Sequence, residues 1–487
     1  MREYVAGNFC GNAVLMECLT GRGGSAGASD LMRRLLRTLP PLALIAALSV
    51  GACPARAAEG IAPAREFAPR QLLVKFEGQR RGRALELPAA AGVERTARAL
   101  RRNPEVVYAE PDYVASVSAS SEPLDPDDSG MLETASESSA ESGGWAFKQW
   151  NFLTPRGTGT GVLPISPGGI DAVGAWRNLI EAGRPGASGI VVAVLDTGIA
   201  YRSYGTRFRR SPDFTRNQFV PGYDFVGRDR FPLDEGGHGT HVAGTIAEKT
   251  DNGVGLTGLA YNAKLMPVRV LGRRGEGYAS YIAKGIRFAI AHKAQVINMS
   301  FNFECGERVP MVNEALRSAY QHGIVTVASA GNLGADECVA PPATGPRVIG
   351  VSGTTEGACL GNYDLAGAGI DIVAPGGGEP QSRCPSVAAR PIYQVTLRAD
   401  TTDEFAIPSD YTGTSMAAAH VSGVAAMVLA SGVINPSLPL EKRADLVRKQ
   451  LRHTARDLGF PRTQQGAGLV DAARATGTFP RFSPAVK

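Results

Sequence analysis

An α/β fold, with a doubly wound, mainly parallel sheet and helices on both faces, is predicted by three observations. From residue 145 onward, short apolar runs recur at 190–195, 263–271, 296–299, 324–328, 348–352 and 370–373. Their near-continuous Val, Ile, Leu and Ala content is that of strands covered on both faces, as parallel strands are. Helical periodicity fills intervals between them, at 241–248, 278–292 and 312–322. Strand–helix alternation of this kind closes through right-handed crossovers, and ligands then meet the sheet at the carboxyl ends of its strands.

Composition is that of an ordinary globular chain: 487 residues, 44% hydrophobic and 20% charged, with a formal net charge of +5. General disorder is excluded, and the mixing of both charge signs leaves no nucleic-acid footprint. Residues 1–31 have no periodicity and read as an upstream extension. Met32 is followed by Arg33, Arg34 and Arg37, then by the apolar run 42–50 and the small-x-small triplet Ala55-Arg56-Ala57, which together make a signal peptide over 32–58. The apolar run is shorter than a bilayer span, so secretion or a periplasmic location is expected. The alternative is a lipid anchor through Cys53, since Val50-Gly51-Ala52-Cys53 has the form of a bacterial lipobox.

Residues 66–117 pattern as a small α+β module, with a strand at 71–76, a basic amphipathic helix at 93–101 and a strand at 105–113. Residues 118–144 are Ser-rich with seven acidic residues and neither Lys nor Arg, a composition that cannot bury a core. They read as a linker open to proteolysis, and a mature chain is expected to begin near Trp145. The main domain runs over 145–476 and closes with an amphipathic helix at 441–455 and a turn and strand at 466–471, before a tail at 477–487.

Candidate chemistry gathers at four places. Ser415 stands in Gly413-Thr414-Ser415-Met416-Ala417, where an Ala-, Met- and Val-rich helical run begins and continues through Val428 to Gly432. Free backbone N–H groups and the positive end of the helix dipole then face any negative charge forming beside the serine. Serine at a helix start is also the commonest N-cap, so the nucleophile reading depends on partners. Asp196 directly follows the first apolar run, and His238 sits where a glycine loop enters an Ala/Val helix. A serine needs an imidazole to take its proton and a carboxylate to orient that imidazole. Asn332 ends another strand, where its amide could donate to an oxyanion together with the Ser415 N–H. His238 and His241 are three apart, whereas zinc helices place two histidines four apart around a glutamate. His241, His292, His322, His420 and His453 are accordingly read as structural or solvated.

On these motifs the sequence resembles the subtilase family of serine proteases. Asp196-Thr197-Gly198, His238-Gly239-Thr240-His241-Val242-Ala243-Gly244 and Gly413-Thr414-Ser415-Met416-Ala417 stand as that family writes them, in the order Asp, His, Ser. The resemblance implies a secreted serine endopeptidase working through an acyl-enzyme on Ser415, with Asp196 orienting, His238 as base and acid, and Asn332 completing the oxyanion hole. It covers 145–476 and, over 70–117, resembles the inhibitory propeptides of subtilases, with Val106, Tyr108, Glu110 and Asp112 in the last strand. A self-inhibited zymogen is thereby implied, monomeric, with protein or peptide substrates and its own propeptide as partners, and with a membrane involved only through Cys53. Substrate is expected as an added strand between Gly275-Glu276-Gly277 and Ser300-Phe301-Asn302, with Ala328, Ser329 and Ala330 as a small wall that admits apolar or bulky residues.

Two positions depart from the family pattern: Phe301-Asn302 where Leu-Gly is common, and Ala419 where the nucleophile helix usually has proline. The second motivates an alternative, a transpeptidase on the same scaffold; a non-catalytic peptide-binding relative is the other. No cofactor is required for the chemistry. Asp213 and Asn252 resemble the carboxylate and amide of the family's calcium site, although Asx-Gly is also ordinary turn chemistry. Four cysteines in the body of an exported chain suggest two disulfides. Cys305–Cys338 with Cys359–Cys384 is favoured among the three pairings, because Cys305 and Cys338 both follow strand ends near the proposed site.

Overall fold

The computed structural model describes residues 67–79, 83–88, 91–113, 128–130, 144–156, 163–332, 338–364, 366–381, 384 and 389–477. The expected upstream extension, signal peptide, Cys53 anchor and most of the acidic linker and C-terminal tail lie outside them. The chain forms two compact units, one within 1–120 and one within 121–487.

In the first unit, β1 (Phe67–Phe76), β2 (Arg83–Glu86) and β3 (Val106–Tyr113) make an antiparallel sheet in the order β2-β1-β3, with α1 (Val93–Leu100) beside it. Leu72 and Val74, two apart on β1, point to one face and meet Val93, Ala97 and Leu100 of the helix. Glu94 in the first turn and Arg98 in the last complement the helix dipole. Strand β2 was not anticipated; at four residues it carries too little pattern to stand out.

The second unit is built on seven parallel strands in the order β10-β9-β8-β7-β4-β6-β5. They are β4 (Val191–Asp196), β5 (Tyr223–Asp224), β6 (Lys264–Arg269), β7 (Val296–Met299), β8 (Val325–Ser329), β9 (Ile349–Thr354) and β10 (Ile372–Pro375). Each of the six expected strands is present, displaced by at most two residues at either end, with β6 trimmed from the longer apolar run. The edge strand β5 was missed because two residues have no period. Helix α2 (Ala172–Glu181) is capped by the Asp171 side chain, which accepts from Gly174 N. The longer helices that follow are α3 (His238–Ala247), α4 (Ala279–Ala291), α5 (Pro310–Gln321), α6 (Thr414–Ser431) and α7 (Leu440–Thr454), with short helical turns at Trp145–Lys148, Arg462–Gln465 and Ala472–Thr476.

Both faces of the sheet are covered, and β4 shows how. Val192 and Val194 enter one core with Val242 and Ile246 of α3 and Val421, Val424 and Val428 of α6. Ala193 and Leu195 enter the other with Ile282 and Ile286 of α4 and Val312 and Leu316 of α5. Strand period two divides one apolar run between two layers. The chain crosses from β6 to β7 on opposite sides of β4, so the switch point flanks β4. Helix α6 is apolar all round because it lies in the core; it is long and apolar enough to cross a membrane, yet 78% of it is buried in the protein. The closing segment after α7 adds single bridges rather than a full strand, with Val470 N donating to Val373 O.

One expectation needs correcting. The segment 128–130, placed in an unstructured linker, is part of the fold: Asp128 is fully buried and its carboxylate accepts from Asn252 N at 3.2 Å, while Gly130 N donates to Gly255 O at 2.8 Å. A single ordered anchor inside an acidic, Ser-rich stretch leaves no compositional trace. Both favoured disulfides form, Cys305–Cys338 with Cα atoms 5.7 Å apart and Cys359–Cys384 at 6.2 Å.

Candidate active site

Asp196 ends β4 at the sheet's carboxyl edge and is fully buried. Its Oδ1 accepts from Thr197 N and lies 2.8 Å from His238 Nδ1. With Nδ1–H donating to the carboxylate, the imidazole presents Nε2 as an acceptor on its open side. His238 opens α3, three residues earlier than periodicity placed the helix start, because the Gly-Gly lead-in hides the first turn. Gly237 precedes it at φ 86°, a left-handed conformation that glycine adopts without strain. Gly239 is tighter still: a Cβ there would lie 2.1 Å from Gly198 O.

Burial alone would lower the His238 pKa, but the charge of Asp196, its hydrogen bond and the more distant Asp234 outweigh it, and the pKa is raised above 6.5. The side chain keeps 31% of its surface exposed, so desolvation is incomplete.

Sequence reasoning missed Asp234, which holds this loop. It is 1% exposed, and its Oδ1 accepts from Thr197 Oγ1, Gly236 N and Gly237 N while its Oδ2 accepts from Thr240 N and Thr240 Oγ1. One carboxylate thus ties the strand carrying Asp196 to the helix start carrying His238. The available signal was an Asp two residues ahead of Gly-Gly, the pattern of an Asx turn at a helix start. Its neighbour Glu235 is held by Arg269, which also pairs with Asp224.

Ser415 lies in the first turn of α6, behind Gly413 at φ 128°. A Cβ at Gly413 would come within 3.0 Å of the Asn332 amide, so glycine lets that amide pack against the turn. Asn332 Oδ1 accepts from Thr414 N at 2.9 Å and Thr414 Oγ1 at 2.8 Å, which leaves its Nδ2 as the outward donor. The Ser415 hydroxyl donates to Ser300 O at 3.0 Å, and Ser300 Oγ donates back to Ser415 O at 2.8 Å. The hydroxyl would turn from Ser300 O to reach an imidazole. Asp196, His238, Asn332, Ser300 and Ser415 all stand at strand ends or helix starts along one edge of the sheet.

The other predicted residues divide. Gly275, Glu276 and Gly277 form an exposed turn after β6, closed by Gly272 N to Glu276 O at 2.8 Å. Phe301 is in the core with Val309 and Val339. Ala328, Ser329 and Ala330 have no exposed surface, 0% each, so the wall expected to line a slot is covered. Asp213 is fully buried, with Asn252 Nδ2 donating to its Oδ1 and Leu256 N to its Oδ2. Burial above all, and then the nearby Asp128 carboxylate, push the Asp213 pKa well up against the pull of those hydrogen bonds. Among the described residues no three His, Cys, Asp or Glu side chains converge as a metal cage.

Two further histidines are structural, and His292, His322 and His453 are exposed. His241 stacks on Tyr411 at 4.0 Å, donates from Nε2 to Ile392 O, and burial drives its pKa to about 3. His420 donates from Nδ1 to Met416 O, accepts from Asn151 Nδ2, and is held at about 4 by burial. Both stay neutral at ordinary pH.

A parallel α/β sheet with a serine, an imidazole and a buried carboxylate along one carboxyl edge defines the class. Comparisons with known proteins define the family. The model of the subtilase family matches residues 187–469. The thermophilic serine proteinase of Bacillus sp. (strain AK1) is 34% identical over 54% of this chain, and the extracellular protease of Xanthomonas campestris pv. campestris is 34% identical over 67%. A solved protease from Pseudoalteromonas arctica superposes with a TM-score of 0.56 at 29% identity, covering 72% of this chain and 98% of its own. This chain belongs to the subtilase family. It spans 58% and 55% of the lengths of those two sequence relatives.

Proposed function

We propose that the protein is a secreted serine endopeptidase made as a self-inhibited zymogen. The observation that carries the reading is the 2.8 Å Asp196–His238 pair at the carboxyl edge of the sheet that also carries Ser300, the hydrogen-bond partner of a serine at the start of a buried helix. In the proposed mechanism His238 Nε2 takes the Ser415 proton as Oγ attacks the peptide carbonyl. The oxyanion accepts from Ser415 N and Asn332 Nδ2, and His238 then protonates the leaving amine. Water resolves the acyl-enzyme by the same steps in reverse. Asp196 holds the tautomer and stabilises the imidazolium without giving up its own charge.

Secretion is supported by the two disulfides and by the extracellular protease among the relatives. The zymogen is supported by the separate α+β unit ahead of the acidic segment. Transpeptidation rested on Ala419, and that residue is fully buried in the core rather than opening space beside Ser415. A structural calcium ion is also proposed, on Asp213, Asn252 and loop carbonyl oxygens with Asp128 close by. The buried acidic pair suits a hard cation, and the Asn252 amide would turn its oxygen inward to bind it. The zymogen is tested on purified precursor: wild type should convert to a form starting within the acidic segment or near Trp145, and Ser415→Ala should stay full length. Equal trimming of the variant in a protease-free preparation would refute self-processing.

A further inference from the structure

The loops after β7 and β8 flank Ser415, since Ser300 O accepts from its hydroxyl and Asn332 grips Thr414. A peptide carbonyl carbon on Ser415 Oγ, with its oxygen toward Asn332 Nδ2, therefore sits between these two loops. The side chain of the acyl-side residue must descend between them. That space is crossed. Asn302 Nδ2 donates to Ser329 O at 2.5 Å, and the single Ser329 hydroxyl proton is donated in turn to Asn302 Oδ1 at 3.1 Å, with Phe301 O a longer alternative acceptor at 3.4 Å. The loops are also joined by Phe303 N to Pro341 O and by the Cys305–Cys338 bridge, so they have little freedom to part.

We infer that the Asn302–Ser329 clasp closes the acyl-side specificity slot and selects peptides with a small residue, alanine or serine, before the scissile bond. This rests on the endopeptidase reading and narrows the sequence-based expectation of apolar or bulky residues. An aromatic ring enters only by breaking both side-chain bonds, which leaves the carbonyl of the buried Ser329 without its donor. A site with buried polar groups rejects a ligand that leaves them unpaired far more strongly than it rejects a change of size alone.

The test compares two chromogenic tetrapeptide anilides that differ only in alanine or phenylalanine before the anilide. Wild-type mature enzyme should favour the alanine substrate by about tenfold or more in kcat/KM. Asn302→Gly should move that ratio about tenfold toward phenylalanine; Asn302→Asp, which keeps the size and loses the donor, should move it in the same direction by less. Wild type turning over phenylalanine as well as alanine overturns the clasp, as does a ratio unchanged in whichever of the two variants folds. Hydrolysis of neither substrate by wild type overturns the endopeptidase reading itself, and the clasp with it. Because the ratio is taken within one enzyme preparation, a general loss of folded protein does not move it.

Discussion

The two sides of the candidate site are held by different means. On the Asp196–His238 side, one buried carboxylate, Asp234, gathers three backbone N–H groups and two hydroxyls, and the turns are glycines whose Cβ atoms have no room. On the side formed by the loops after β7 and β8, the ties are a side-chain clasp, Asn302 to Ser329, a disulfide and a single backbone bond, Phe303 N to Pro341 O. The first kind over-determines the loop that carries the imidazole, because several short bonds to backbone hold it. The second kind can be rewritten by one substitution without moving the sheet. On the proposed mechanism, positioning for chemistry would be written into the backbone here, and selectivity into side chains.

Substitutions on the two sides should accordingly differ in kind. The largest effect is expected from Asp196→Asn, which inverts the preferred imidazole tautomer and should lower kcat by about 10⁴-fold with little change in KM. The pH profile adds a signed test. The His238 pKa is raised in the folded enzyme, so the neutral base is lost as pH falls, and the acid limb of kcat/KM should lie above 6.5. In Asp196→Asn the charge that raises it is gone, and the residual activity should have its limb displaced to lower pH.

Asp234→Ala should follow, with kcat lowered by about 100-fold as the His238 loop loosens. It should also lose about 3 kcal/mol or more of stability, since five donors are left without their acceptor in a buried site. If Asp234→Ala changed selectivity between substrates rather than kcat, the division between the two sides would fail.

The smallest effect should come from chelation. Removing calcium should lower Tm by about 5 °C, the order expected when a ligand present at about 100 times its Kd is withdrawn from a domain of this size. Asp213→Asn should abolish the response to added calcium. A Tm indifferent to chelator would remove the ion from the account.

The legible and the hidden parts of this molecule differ for physical reasons. The strands were legible because burial on both faces forces uninterrupted apolar runs, as in β4 and β7. Asp196, His238, Asn332 and Ser415 stood out as candidates because each lies where such a run or a helix begins or ends beside glycine. Asp234 was not, because a carboxylate accepting backbone N–H bonds looks like any turn residue until the turn is seen. Asp128 was hidden in an acidic stretch whose average said linker, while one of its residues is docked against Asn252. Asn302 was visible as a departure, but what it departs toward, a bond across to Ser329, needed coordinates. The core site of Phe301 likewise follows from tertiary packing, which outranks its place in a motif.

The central claim is that Ser415 is a nucleophile activated by the Asp196–His238 pair. Its most direct test is labelling of mature protein by a fluorophosphonate, with the modified residue located by mass spectrometry. The account predicts one adduct on Ser415, formed in wild type, abolished in Ser415→Ala and slowed by orders of magnitude in Asp196→Asn. An adduct elsewhere, or labelling of Ser415 at the same rate without the Asp196 carboxylate, would contradict it.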